Sequence, residues 1–190
     1  FGLYYYKLDD YLFRYNKKAA REGKQHSLIA RTLNSEQTWM RDPQLQMEEE
    51  MDIYKEIFPY ALQDIKKMGE KKDIIAEGAG FMPKLMAKQN IATSRYICII
   101  PTEDFQRSVF AKRSYLKIFL LGCKNKEAAF ENWMERDSLY AKEVLQQAES
   151  LSYKSILVDG RKTITDHLKL TTKTFGLSQN IIDSKEKNQY

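Results

Sequence analysis

Residues 73–85 read DIIAEGAGFMPKL, an aliphatic run that stops abruptly on a carboxylate and a glycine. A strand buried on both faces reads as continuous aliphatics, so polar chemistry can surface only where the strand leaves its sheet. Glu77 and Gly78 stand at such an exit. Three more runs share the pattern: GLYYYKLDD at 2–10, RYICIIP at 95–101 and SILVDG at 155–160. Each has strand length, and the stretches between them have helical spacing. Strands alternating with helices predict an α/β fold with a mainly parallel sheet.

The helical stretches are marked by their apolar stripes and their ends. In 44–67, Leu45, Met51, Tyr54, Phe58, Leu62 and Ile65 recur at helical intervals, and Pro59 is expected to kink or divide the segment. In 126–151, Phe130, Trp133, Tyr140, Val144, Ala148 and Leu151 form a second stripe, with Trp133 and Met134 on the core side. A third helix is expected after Pro101, with Thr102 as N-cap and Glu103 and Asp104 in its first turn. A fourth starts at Thr163, where Asp166 completes a capping-box pattern, and Gly176 is its stop. The tail SQNIIDSKEKNQY at 178–190 is mostly polar and is expected to fray.

The strand exits carry Asp9 and Asp10, Glu77 and Gly78, Thr102, and Asp159 and Gly160. Open α/β sheets bind ligands at the carboxyl ends of their strands. Singly, each of these residues suits a turn or cap; their recurrence along one edge points to a site. Such carboxylates can accept a substrate proton or hold Mg²⁺ through oxygen, and the residues alone do not separate these roles. Arg107, Arg113 and Arg136 follow the third strand, and guanidinium groups grip phosphate bidentately. On a surface helix the same arginines would pair with neighbours such as Glu135 or Asp137.

The 190 residues match about one domain, expected over 1–177. A net charge of +5 with scattered basic residues suits phosphate-bearing small molecules as well as nucleic acid. No basic–aromatic alternation resembles a stacking platform, so nucleic acid is not the expected partner. Cys98 and Cys123 give neither metal-ligand spacing nor a disulfide framework, and the cytosol is the expected compartment. No apolar stretch approaches the ~18 residues that span a bilayer, and no membrane association is expected. His26 and His167 have no Cys or Ser arrangement suggesting nucleophilic catalysis.

Taken together, DIIAEGAGFMPKLM, IIPTEDFQRSVFAKR, AFENWMERDSLYAKEVLQQA and SILVDGRKTITD resemble P-loop small-molecule kinases, in particular a bacterial group of kinase-like P-loop proteins. The resemblance covers about residues 3–177. It implies a three-layer parallel sheet with helices on both faces. KLDDYLFRY is similar to a second kinase strand and its exit, which implies Asp10 as base or acceptor contact, with Asp9 beside it. WMRDP resembles the acceptor-side helical region and implies Arg41 as a substrate contact. The resemblance further implies Glu77 near Mg²⁺ and Gly78 near the acceptor. It implies a lid over about 103–140 whose Arg107, Arg113 and Arg136 face the transferring phosphoryl group, and Asp159 and Gly160 near the nucleotide base.

The chain departs from that family in one respect. P-loop kinases carry G-x-x-x-x-G-K-[ST], whose amides cradle phosphates, and none of the eight glycines here starts such a motif. In the family the strand before that loop is central, so its loss leaves neighbouring strands without a hydrogen-bonding partner. Residue 1 is therefore expected to lie just beyond the phosphate loop. The other openings are a short form without catalysis, or closure of the sheet by another element or another chain, including a homo-oligomer. As written, the chain is not expected to bind ATP or GTP tightly. The functional expectation is phosphoryl transfer from ATP or GTP to an unknown small hydroxyl-bearing acceptor; the alternative is an inactive regulatory or interaction module on the same scaffold.

Overall fold

The computed structural model describes residues 1–114 and 116–177. The expectation for the tail at 178–190 lies outside them. Four strands form at the four aliphatic runs: β1 (Tyr4–Lys7), β2 (Ile74–Glu77), β3 (Ile97–Pro101) and β4 (Lys154–Val158). β1 pairs in parallel with β2, from Tyr4↔Ile74 to Lys7↔Glu77. β3 pairs in parallel with β4, from Ile97↔Lys154 to Pro101↔Val158. The fold is thus mixed α/β with parallel pairing. The pairs are two separate two-stranded sheets, so among the described residues β2 and β3 each have one hydrogen-bonded neighbour.

Four helices connect β1 to β2: α1 (Leu12–Arg21), α2 (Gln25–Ala30), α3 (Ser35–Trp39) and α4 (Pro43–Gly69). α5 (Pro83–Lys88) connects β2 to β3. α6 (Glu103–Phe110), α7 (Leu116–Phe119) and α8 (Lys126–Ser150) connect β3 to β4, and α9 (Ile164–Thr174) follows. None of these helices is long and apolar enough to cross a membrane.

α4 runs through Pro59 as one helix, so of the expected kink or division the division does not occur. An interior proline costs a helix about 3 kcal/mol. Against that, α4 buries Met47, Met51, Tyr54, Ile57, Phe58 and Ala61, and each large apolar side chain contributes roughly 1.5–3 kcal/mol. Packing wins. Asp42 caps the start of α4 by accepting from the Leu45 amide at 3.0 Å, and Pro43 opens the first turn. The expected capping box of α9 is present: Thr163 Oγ1 accepts from the Asp166 amide while the Asp166 carboxylate accepts from the Thr163 amide. Gly176 follows with φ +63°. Thr102 precedes α6 as expected but makes no side-chain capping bond.

The cores are distributed. Tyr6, Leu8 and Tyr15 pack with the buried face of α4 and with Phe81 and Met82. α8 contributes to a second cluster, in which Trp133 and Met134 are buried with Leu120, Cys123 and Ala129. Farther along, Ala148 of α8 packs with Cys98, Ile100 and Tyr153 behind β3. Trp133 also stacks on Trp39 of α3, ring centres 4.2 Å apart.

β3 departs from the expectation of burial on both faces. Cys98 and Ile100 are buried on the α8 side, whereas Ile99, and Leu157 of β4, are each 52% exposed. The aliphatic run reflects a strand for two covered faces, and the described residues cover one.

Candidate functional site

The exits of β1 and β2 gather three of the predicted carboxylates. β1 leads into a 3₁₀ turn, Leu8–Tyr11, which carries Asp9 and Asp10; Glu77 is the last residue of β2, in register with Lys7. The Tyr5 hydroxyl donates to Glu77 Oε1 at 2.8 Å. That bond, with burial and the charges of Glu77, Asp10 and Asp9, raises the Tyr5 phenol above its ordinary value. One hydroxyl therefore feels all three acids.

Gly78 explains why the strand ends as it does. Its φ is +145°, and a Cβ there would lie 2.5 Å from Leu8 Cβ. Leu8 is buried to 1% exposure and anchors the turn that carries the two aspartates. Only a residue without a side chain lets the β2 exit pass this closely, which keeps Glu77 beside the Asp9–Asp10 turn. From α8, the Tyr140 hydroxyl donates to the Ala79 carbonyl at 2.6 Å and pins the following loop.

The predicted arginines separate. Arg136 of α8 lies inside, its side chain 12% exposed. It is ion-paired with Glu50 of α4 and, at 2.7 Å, with Asp137, and it sits over the Trp39 ring at 5.3 Å. Arg107 of α6 meets Glu103 at 3.2 Å, Glu131 at 2.6 Å and Glu135 at 3.8 Å. Arg113 stands over the Phe110 ring at 4.4 Å. Arg41 pairs with Glu49 at 2.7 Å. Beyond β4, Asp159 accepts from the Arg161 amide at 3.0 Å, and Gly160, φ +82°, approaches Phe105 so closely that a Cβ would lie 2.9 Å from its ring.

Two centres result. Asp9, Asp10, Glu77 and Gly78 form the strand-exit rim. Arg41 and Arg136 share the wall of a cavity of about 460 Å³ whose other walls come from α1, α2, α3 and α4; neither aspartate of the rim nor Glu77 lines it. The reading from sequence missed Glu50, Trp39 and Tyr54, which line this cavity. Trp39 stood within the quoted WMRDP; Glu50, inside MEEEMD, carried no signal beyond a solvated charged face.

Burial pushes the Asp137 carboxyl up to about 6, with Arg136 pulling in the other direction, Glu50 adding to the rise, and a 2.7 Å bond from Gln106 also favouring the ionised form. A carboxyl whose folded value is raised contributes stability that is fully present below its unfolded value and is lost as pH rises through the folded one. The stability of the native protein relative to Asp137→Asn is thus expected to increase as pH falls from 7 to 4, by on the order of 2–3 kcal/mol. Urea unfolding of both proteins across that range measures it; a difference independent of pH refutes it.

Among the described residues, no group of three or more His, Cys, Asp or Glu converges to hold a metal ion. Mg²⁺ commonly takes one or two protein carboxylates and completes its shell with phosphate and water. Glu77 and Asp10 therefore form no all-protein cage. Comparison of the chain with family models, curated proteins and solved structures found no match.

Proposed function

We propose that this chain is the acceptor and lid portion of a P-loop kinase-like protein that transfers phosphoryl from ATP or GTP to a small hydroxyl-bearing acceptor if a phosphate loop and central strand are supplied to it. The observation that carries this reading is the division of the parallel strands into β1–β2 and β3–β4. In the kinases that the sequence resembles, the strand before the phosphate loop is central. One parallel strand between β2 and β3 would convert two pairs into a five-stranded sheet and satisfy both inner edges. Its helix would cover a face on which Ile99 and Leu157 are half exposed.

On this reading Asp10 accepts the proton of a small hydroxyl-bearing acceptor, with Asp9 beside it, and Glu77 stands where Mg²⁺ joins the nucleotide. Bound Mg²⁺ and ATP or GTP would supply the phosphoryl group and its charge compensation. Arg41 lies on the acceptor side with Arg136 in the same cavity wall, Arg107 and Arg113 belong to the lid, and Asp159 and Gly160 lie near the nucleotide base. Gly78 lets the acidic rim assemble.

A second reading, a noncatalytic module on the same scaffold, is favoured by the arginines. Arg107 is matched by three carboxylates and Arg136 by two; a phosphate would have to displace these partners. Thermal unfolding with Mg-ATP separates the readings when the polypeptide encoded in frame ahead of Phe1 is expressed together with residues 1–190. Ligand at 100 times its Kd adds about 2.7 kcal/mol, a rise of roughly 5–10 °C at this size. The 190 residues alone are expected to show none. An unchanged Tm for the extended protein, with no γ-phosphate consumed, rejects the phosphotransferase reading.

A further inference from the structure

We propose that the turns around α7, between α6 and α8, dock on an anionic lipid surface, where Ile118, Phe119 and Leu121 enter the acyl boundary and Lys112, Lys117, Lys124 and Lys126 meet the headgroups. Such a contact goes beyond phosphoryl transfer and would hold in a chain without that activity. The expectation of no membrane association followed from the lack of a spanning stretch, and an interfacial contact needs none: an apolar face beside basic side chains suffices.

Ile118 and Leu121 are 66% and 65% exposed and Phe119 52%, three large apolar side chains almost consecutive in the chain. Single exposed apolar residues are ordinary, whereas a contiguous group marks a contact surface. These turns are held to the core. The Leu120 amide donates to the Lys117 carbonyl at 3.3 Å, Leu121 to Ile118 at 3.3 Å and Cys123 to Leu120 at 3.1 Å. Leu120 and Cys123 are buried with Ala129 and Trp133, and Phe119 meets the Trp133 ring edge-on at 5.9 Å. The Lys124 amide donates to the Glu36 carboxylate of α3 at 2.9 Å and ties down the far end. Ile118 and Leu121 therefore face solvent from a backbone that is anchored on its other side.

Charge selects the occupant. Between Asp104 and Glu127 the sequence holds six basic residues and no acid. Arg107 is committed to Glu103, Glu131 and Glu135, and Arg113 lies over the Phe110 ring. The other four, Lys112, Lys117, Lys124 and Lys126, are exposed and, among the described residues, meet no carboxylate at ion-pair distance. The acids beside them are Glu36, which holds the Lys124 amide, and Glu127 in the first turn of α8. Lysine is depleted from protein–protein interfaces, where arginine, tyrosine and tryptophan carry the binding, and its point charge lacks the bidentate grip on a single phosphate. A diffuse negative surface needs only positive charge close to it, and lysine stems can lie along apolar surface with their ammonium groups at headgroup level. Lysines around an exposed aliphatic group thus fit an anionic membrane better than an acidic protein.

Co-sedimentation of the 190-residue chain with phosphatidylcholine vesicles, with and without about 30% phosphatidylserine and at about 100 and about 500 mM salt, tests this. Binding is expected on the anionic vesicles at low salt and to be at least about tenfold weaker on neutral lipid or at high salt. Lys117→Gln with Lys124→Gln is expected to weaken it about tenfold or more, since each lysine near such a surface contributes roughly fivefold. Ile118→Ser with Leu121→Ser is expected to do the same, and both pairs leave Tm unchanged because the altered side chains are exposed. Lys66→Gln with Lys67→Gln, which removes equal charge from the last turn of α4, is expected to change binding less than about twofold. The added emission of Leu121→Trp is expected to be quenched by lipid with brominated acyl chains. The proposal is overturned if neither vesicle holds the chain, if neutral vesicles hold it equally well, if the α4 pair matters as much as the α7 pair, or if the Ile118 and Leu121 variant, folded by circular dichroism, binds as the native chain does. Vesicle binding without quenching overturns it too, since charge alone would then hold the chain and the apolar group would face a protein.

Discussion

Arg136→Met is expected to destabilise the fold by about 3–5 kcal/mol, because removing one member of a buried ion pair leaves the other charges without compensation. Glu50 and Asp137, 25% and 18% exposed at the side chain, flank this guanidinium from two elements, α4 and α8. The substitution also removes the cation over Trp39. Urea unfolding at pH 7 reads the loss, and the same measurement at pH 4 is expected to show a smaller one, since Asp137, whose carboxyl burial pushes up to about 6, is protonated there. Adding Glu50→Gln and Asp137→Asn to Arg136→Met should recover much of the stability, as an apolar or neutral replacement of a whole buried ion cluster is often near neutral. A loss under about 1 kcal/mol at pH 7, the range of exposed pairs, would show that Arg136 is not the interior charge that joins α8 to α4.

Gly78→Ala is expected to cost about 3 kcal/mol or more, from two separable sources. Its φ of +145° is unfavourable for any L side chain, and the new Cβ would approach Leu8 Cβ to 2.5 Å. Overpacking of this kind costs roughly 1–3 kcal/mol, and strained backbone adds about 1–3. Leu8 lies inside the main cluster with Tyr6 and Tyr54 and has no room to retreat. Gly23→Ala is the control: φ is +79° there and nothing lies within 4 Å of the added Cβ, so the backbone contribution of about 1–2 kcal/mol acts alone. The excess of Gly78→Ala over Gly23→Ala measures the collision. If the two variants unfold at the same urea concentration, Gly78 has no special part in holding Glu77 beside Asp9 and Asp10.

The legible parts of this chain share a property. The four aliphatic runs became the four strands, and the box Thr163–Asp166 closed within one turn. Pro59 did not divide α4 for a tertiary reason: its local cost is fixed, while the compensating burial of Ile57, Phe58 and Ala61 depends on what α4 meets. Ile99 misled similarly, since its chemistry states that a strand tolerates two covered faces, not that both are covered here. In the candidate site, the acidic rim was readable because strand exits are local features. The pairing of Arg107 with Glu135 and of Arg136 with Asp137 was readable from spacing too; the distant partner Glu50 and the cavity beside Arg41 were not.

The sequence by itself determined the four strands and the helices α4, α6, α8 and α9, whereas α1, α2, α3, α5 and α7 were not read from it. Periodicity, capping and glycine punctuation act over a few residues, and local energies select them before distant contacts form. Only the tertiary structure decided that Glu50 meets Arg136 across 86 positions, that Trp39 stacks on Trp133, and that the strands assemble as two pairs. Charge pairing and edge pairing fall off over a few ångströms in space and carry no mark along the chain. Their partners are chosen by packing.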